Sequence, residues 1–520
     1  MLAFCCGACL CGLEAQPITV EVDLAPGLPG LQLVGLGDIS GREARERVRS
    51  ALRNSGFRVP QTRVVVSLAP AQLLKQGPSF DLPIALALLV ATGQLPQQLL
   101  EGVWAVGELG LDGQLRPVRG VIAVARAAQA AGAAALIVPA ANGSEAALVE
   151  GLKVWPAEQL SGVSFSLRSG IAWSLPSADQ RIVPPPTWPD LGEVEGQLHG
   201  RRALEIAASG RHHLLMIGPP GCGKTLLARC LPSLLPPLDQ SQALELTQIH
   251  SVAGLLPPEA GLLSQPPFRS PHHGCSATAL VGGGSGPRPG ELSLAHHGIL
   301  FLDELAEFRR EVLDQLRQPL ESGQICLARA RQSLWFPCRL LLAAATNPCP
   351  CGWWGDPLRP CRCGERLRRQ YWSRLSGPLL DRLDLQVILS ALPPAALEQV
   401  ALSRQASDPL RETSLAVAKR VASARARMSL RNPGGLANAE VPFAQLRPHL
   451  RLSKGARSFW TRSLDQPLRL TARSVSRVLR VARTAADLEG SEPLEAHHLA
   501  EALTYRSLDR LAPDGISAGI

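Results

Sequence analysis

Residues 218–225 read Gly-Pro-Pro-Gly-Cys-Gly-Lys-Thr and follow an apolar run, Leu214-Leu215-Met216-Ile217. Glycine, lysine and threonine at this spacing form a phosphate-binding loop when a strand precedes them and a helix follows. Gly218, Gly221 and Gly223 let backbone N–H groups close around phosphate oxygens, and Pro219, Pro220 and Cys222 complete the turn. Lys224 would reach the outer phosphates, and Thr225 would offer its hydroxyl to Mg²⁺. A helix beginning near Lys224 would aim its positive end at the same anion. The ligand class is therefore a nucleotide with its divalent cation.

A second element supports the first. Gly298-Ile299-Leu300-Phe301-Leu302-Asp303-Glu304 is an apolar strand ending in two acids. Asp303 is expected to hold the water shell of Mg²⁺ and Glu304 to polarise the attacking water. Alone, an Asp-Glu pair after a strand also suits an ordinary helix N-terminus. Lys224 and Asp303 lie 79 positions apart, room for a helix, a strand and an insertion. A third strand, Leu340–Ala345, ends in Thr346-Asn347, and the Asn347 amide would orient water near the γ-phosphate. Alone, Asn347 is a turn residue before Pro348.

These elements sit in a chain of 520 residues, enough for about three domains. Hydrophobic residues make up 46% and charged ones 19%, a globular balance that excludes a disordered chain. The net charge of +9 permits a polyanionic partner without requiring one. Only five of the 53 basic residues are Lys, a bias that base composition alone can produce. The longest apolar run, Leu82 to Ala91, has ten residues, too short to span a membrane. The apolar start, Met1 to Leu13, lacks a basic lead and runs into a strand-like Ile18–Val22, so no signal peptide is read. Thirteen Cys in such a chain point to a reducing cytoplasm.

Residues 1–165 mix β-patterned runs (Ile18–Val22, Val64–Leu68, Val103–Val106, Leu136–Val138) with helical stretches such as Gly41–Ser55. Residues 166–190 read as a linker, stiffened by five prolines between Ser174 and Asp190. Residues 191–395 alternate strands and helices around the phosphate loop, which argues for a parallel α/β sheet. Residues 396–512 are helical. There Val475, Val478, Leu479 and Ala482 repeat at helical spacing opposite a stripe of Arg473, Arg477 and Arg480.

Phosphate loop, Asp-Glu strand, Asn-tipped strand and helical lid together resemble an AAA+ ATPase. Longer strings narrow the resemblance: Val194-Glu195-Gly196-Gln197, Phe268-Arg269-Ser270-Pro271-His272-His273, Arg288 through His296, Asn347-Pro348-Cys349-Pro350-Cys351-Gly352 and Ser376 through Asp384. With the N-terminal unit they resemble the ComM/YifB family of magnesium-chelatase-like AAA+ proteins over nearly the whole chain. The implied fold class is an α/β AAA+ core with helical lid, preceded by an α+β Lon-peptidase-like domain. The resemblance implies ATP and Mg²⁺ bound between subunits of a homo-oligomeric ring, usually a hexamer. It also implies DNA, single-stranded or branched, as the polymer moved, with helicase-driven branch migration in recombination of incoming DNA. It places Gln197 at the nucleotide, makes Arg382 an arginine finger reaching a neighbour's site, and makes Arg473 the lid arginine sensing the γ-phosphate. Otherwise Arg382 would pair with Asp381 or Asp384, and Arg473 would be one more solvated arginine. The same core serves chelatase motors, which remodel a protein partner during Mg²⁺ insertion, and that is the alternative function.

Two insertions are DNA-contact candidates: the Gly-rich span Pro271–Gly290, with His272, His273 and Arg288, and Gly323–Pro337, with Arg329 and Arg331. In related motors hairpins at these places line the ring pore, and Arg neutralises phosphates. Directly after Asn347, Cys349-Pro350-Cys351 and Cys361-Arg362-Cys363 offer four thiolates that can surround Zn²⁺ tetrahedrally. The C-x-C spacing is tighter than the usual C-x₂-C, and four reduced, unliganded cysteines are the other reading. Cys5, Cys6, Cys9 and Cys11 read as packing residues of a first strand.

The N-terminal unit resembles the Lon-type peptidase fold. Lys75 through Asp81 matches the segment carrying Lon's nucleophilic serine, at Ser79. Continuing from Gly107 through Gly120, the dyad lysine's position falls at Ile122, with Val124 two further on. Neither can take a hydroxyl proton, so a protease is the least favoured reading and Ser79 reads as a turn residue.

Overall fold

The computed structural model describes residues 2–73, 75, 77–171, 173, 187–257, 261–284, 286–329, 332–356, 359–391, 412–465 and 471–506. The proline-rich part of the expected linker and the expected core–lid boundary at 395/396 lie outside the described residues.

The N-terminal strands alternate as a half-buried sheet requires. In Leu2–Cys11 and Glu14–Ala25, Ala3, Cys5 and Cys9, then Ile18, Val20 and Val22, turn to the core. Cys5 and Cys9 are packing residues, as expected. Seven strands run in the order Gly30–Val34, Arg63–Ala69, Glu14–Ala25, Leu2–Cys11, Val103–Ala105, Ala135–Pro139, Lys153–Ala157. Glu14–Ala25 is antiparallel to both its neighbours, and the remaining pairs are parallel. Helix Asp81–Ala91 is apolar all round after Asp81 and is buried along its length. It fills the space under the sheet, which explains an apolar run too short for a membrane. Among the described residues no helix is long and apolar enough to cross one.

The second sheet has five parallel strands in the order Phe268–Arg269, Ile299–Leu302, Leu341–Thr346, Leu214–Ile217, Leu385–Ile388. Three of them, Leu214–Ile217, Ile299–Leu302 and Leu341–Thr346, are buried at every position, as a parallel sheet covered on both faces demands. The first strand in sequence lies between the fourth and fifth. That is the switch point where open α/β sheets bind ligands beyond their strand ends, and the phosphate loop leaves from it.

Helices Ser414–Arg431, Lys454–Asp465, Ala472–Glu489 and Ala496–Thr504 form the lid. Val417, Val421, Val478 and Ala482 join one hydrophobic cluster with Ala203, Leu204 and Leu227 of the core. One expectation fails here. Arg477 and Arg480 do not lie on a solvated stripe with Arg473. Arg477 pairs with Asp384, while Arg480 donates to the Ala439 carbonyl and lies over the Phe443 ring. Helical periodicity marked the apolar face, but a third element folds over the arginines beside it.

The N-terminal unit is docked on the core. Cys11 and Leu13 enter the core's cluster, and Leu244 and Leu256 enter the N-terminal one. Polar links join them: Arg126 donates to Gln248 Oε1 at 2.6 Å, Gln248 Nε2 to the Leu13 carbonyl at 2.6 Å, and Ser251 Oγ to Glu145. Between the two units an open cleft of about 680 Å³ is lined by Cys11–Gln16, Arg126, Gln248 and the stem of a hairpin.

Candidate nucleotide site

The phosphate loop turns through Gly221 (φ 76°) and Gly223 (φ 93°), left-handed positions that favour glycine. Helix Lys224–Leu234 follows at once. Lys224 is 9% exposed. Its Nζ donates to the carbonyls of Gly218 (2.7 Å) and Pro219 (2.9 Å) and to Asn347 Oδ1 (3.1 Å). Burial lowers the Lys224 pKa. Among the described residues no carboxylate makes an ion pair with it; its oxygen acceptors are neutral, and Asp303 and Glu304 act on it only from a distance. Such a charge calls for an anion, and no atom lies within 4 Å of where a side chain at Gly221 or Gly223 would project.

Thr225 Oγ1 donates to Asp303 Oδ2 at 2.8 Å, which joins two hard oxygen ligands of the kind Mg²⁺ takes. The residues present thus fit a nucleotide phosphate with its cation. Asp303 and Glu304 stand at the end of Ile299–Leu302, and Asp303 Oδ1 accepts the Glu304 N–H at 2.9 Å. Glu304 has φ 52°, an uncommon backbone for a non-glycine residue. Gln197, also at positive φ (50°), donates through Nε2 to the carbonyls of Cys222 (3.1 Å) and Ser390 (2.7 Å). It tethers the loop from behind.

His273, expected as a DNA contact, has Nδ1 3.1 Å from Glu304 Oε2 and a ring partner in His272. It faces the site. Arg288 is exposed in the two-residue ladder of Gly282–Gly283 with Arg288–Pro289. The second insertion is a hairpin, Gln324–Arg329 against Gln332–Pro337. Arg331 and the Arg329 side chain lie outside the described residues.

Arg382 is 9% exposed and tucked in: it pairs with Glu321 at 2.8 Å and donates to the Pro378 carbonyl at 2.6 Å. Its partner is therefore neither Asp381 nor Asp384. Asp384 instead holds His212 (2.9 Å) and Arg477, while His212 Nε2 meets Thr484 Oγ1 at 2.8 Å. Burial alone would raise the Asp384 carboxyl. Arg477 and His212 outweigh it and hold the group well below the usual carboxylate range. This latch joins core to lid, and sequence reading missed it because its members lie about 90 and 170 positions apart. Arg473 is exposed in the first turn of Ala472–Glu489.

In the N-terminal unit, Lys75 Nζ donates to the carbonyls of Pro70 and Leu73. Ile122 and Val124 are buried, and the Ile122 N–H donates to Glu145 at 3.3 Å. The stretch that would carry a Lon-type lysine is here part of the joint with the core.

Three family models match in series: "Subunit ChlI of Mg-chelatase" over residues 20–142, "Magnesium chelatase, subunit ChlI" over 190–397, and the ChlI C-terminal model over 411–506. The chain is 44% identical over 500 residues to the protein YifB of Salmonella typhimurium, covering 96% of each chain. It is 42% identical over 508 residues to the competence protein ComM of Haemophilus influenzae, again covering 96% of each. Lon protease 2 of Bacillus subtilis matches at 29% over 152 residues, 27% of each chain. A phosphate loop, an Asp-Glu strand tip and an Asn-tipped strand converge on a five-stranded parallel sheet, and relatives match from end to end. The chain belongs to the ComM/YifB family of magnesium-chelatase-like AAA+ ATPases.

Proposed function

We propose that this chain is an ATP-driven ring motor that moves DNA, single-stranded or branched, during recombination of incoming DNA. The observation that carries the ATPase half is the Lys224 ammonium, hydrogen-bonded to neutral oxygens, beside the Thr225–Asp303 pair. The DNA half is supported by end-to-end similarity to a protein named for competence and by the net charge of +9. ATP supplies the phosphoanhydride that is broken, and Mg²⁺ would be held by Thr225 and Asp303. Lys224 would exchange its carbonyl contacts for phosphate oxygens. Asn347, already bonded to Lys224, would follow that exchange and orient water, and Glu304 would accept the water's proton once parted from His273. Arg473 would read the γ-phosphate from the lid. Arg382 would leave Glu321 to reach a neighbouring subunit, which makes a ring, of six by family resemblance, the working form.

Steady-state ATPase rates with and without single-stranded and junction DNA test this, with Glu304→Gln as the background. Stimulation that weakens as salt rises is expected, because phosphate contacts release counterions. An ATPase indifferent to both DNAs would sink the DNA half. It would favour remodelling of a protein partner, the reading that the chelatase-subunit family models support. A peptidase is disfavoured by apolar Ile122 and Val124 and by a Lys75 committed to carbonyls.

A further inference from the structure

Two loops meet beside the nucleotide site. One leaves the Leu341–Thr346 strand through Asn347 and carries Cys349 and Cys351. The other carries Cys361 and Cys363 and runs into helix Glu365–Trp372. Sulfur–sulfur distances are 3.3 Å (Cys349–Cys351), 3.6 Å (Cys349–Cys361) and 3.6 Å (Cys351–Cys361), and all four Sγ atoms lie within 4.8 Å of one another. A disulfide would need about 2.05 Å. Bonds of about 2.3 Å from four thiolates to one tetrahedral ion give edges of about 3.8 Å, close to what is seen.

The surroundings suit thiolates. The Cys363 N–H donates to Cys361 Sγ at 3.4 Å, the amides of Trp353 and Arg362 point at Cys351 Sγ, and that of Trp354 points at Cys349 Sγ. Four thiolates around a dication leave two negative charges, and guanidinium groups stand by. Arg359 lies over the Trp353 ring at 4.5 Å. Arg368 lies over Trp354 at 5.2 Å and donates to the Cys363 carbonyl at 2.8 Å.

Two other clusters fail the same test. His296 Nδ1 accepts the Arg339 N–H, so its Nε2 carries the proton and stands 3.2 Å from Glu245 Oε2 with no lone pair for a metal. His498 Nδ1 likewise accepts the Glu495 N–H and turns a protonated Nε2 to Glu489.

We propose that Cys349, Cys351, Cys361 and Cys363 bind one structural Zn²⁺, and that this ion fixes Asn347 against the phosphate loop. Four protein ligands close the coordination sphere, the mark of a structural site. Cys349 lies two residues beyond Asn347, whose Oδ1 takes a hydrogen bond from Lys224. Gly352 (φ 82°) backs directly on the loop, since a Cβ there would stand 2.6 Å from Pro220 Cδ. Trp372 Nε1 donates to the Pro348 carbonyl at 3.0 Å, so the helix leaving the second pair braces the first. One ion thus ties the strand end, the phosphate loop and helix Glu365–Trp372 together.

The coupling half rests on nucleotide binding at the phosphate loop, and the metal half does not, so the two are measured separately. Full-length protein purified without chelator should carry about one zinc per chain by elemental analysis. Cobalt exchanged into it should show the absorption of a tetrahedral thiolate site. Cys361→Ser with Cys363→Ser should lose the metal. Cys361→His should retain it, and Cys326→Ser, outside the cluster, should leave it unchanged. A well-folded protein without metal, bound iron in place of zinc, or a disulfide within the cluster would each overturn the site. Stripping zinc, with helix content held constant by circular dichroism, should weaken binding of a fluorescent ADP on the order of tenfold. Unchanged affinity would overturn the coupling alone, and no binding even with zinc bound would instead remove the phosphate-loop reading.

Discussion

Lys224 spends its charge on neutral oxygens, and substitutions at the site follow from that. Lys224→Ala should weaken nucleotide binding on the order of 100-fold, the cost of two charge-assisted hydrogen bonds, as titration calorimetry would read. Glu304→Gln should bind nucleotide normally and turn over poorly; near-normal turnover would remove Glu304 as the water-activating group. His273 makes a separate prediction. Because it holds the Glu304 carboxylate at 3.1 Å, His273→Ala should raise basal ATPase several-fold with nucleotide affinity unchanged, and a lower rate would make His273 a support of Glu304 instead. The phosphate loop was legible because its chemistry lies in eight consecutive residues. The hold on Glu304 was not, since His273 precedes it by some thirty positions and a histidine pair in a Gly-rich loop reads equally well as a phosphate contact.

At the scale of elements, the lid is held by a latch from strand end to helix. Asp384 is buried with two cationic or protonatable partners. Asp384→Ala should therefore cost about 3–5 kcal/mol, seen as a lowered melting transition with the lid released to protease. Arg451→Ala removes an exposed pair with Glu492 and should shift stability by less than about 1 kcal/mol. Equal effects of the two would deny the latch. Strands were legible from apolar runs, which act locally, whereas the second hairpin was legible only through its place in related motors. The arginine stripe misled because a period of 3.6 tells which side chains share a face, not which faces a third element covers.

Across the whole molecule, the N-terminal unit is tied to the core by side chains from both. Where a Lon-type chain needs its lysine, this chain has Ile122, and the Ile122 N–H meets a Glu145 carboxylate that also accepts from Asn142 and from Ser251 of the core. Glu145→Ala would strand these donors at about 1–3 kcal/mol each. It should split a joint melting transition in two by calorimetry; one unchanged transition would mean the apolar exchange of Cys11, Leu13, Leu244 and Leu256 suffices. The absent lysine was readable from alignment with a motif, but the use made of its place was not, because it depends on a helix more than 100 residues away.

The turn at Gly12 (φ 66°) sits so close to the hairpin that a side chain there would come within 3.3 Å of Leu334 Cδ2. The hairpin is thus braced from outside the ATPase core. If the proposed motor moves this hairpin, load on it would pass to the first strand of the seven-stranded sheet, and whatever grips that sheet would act as a brake.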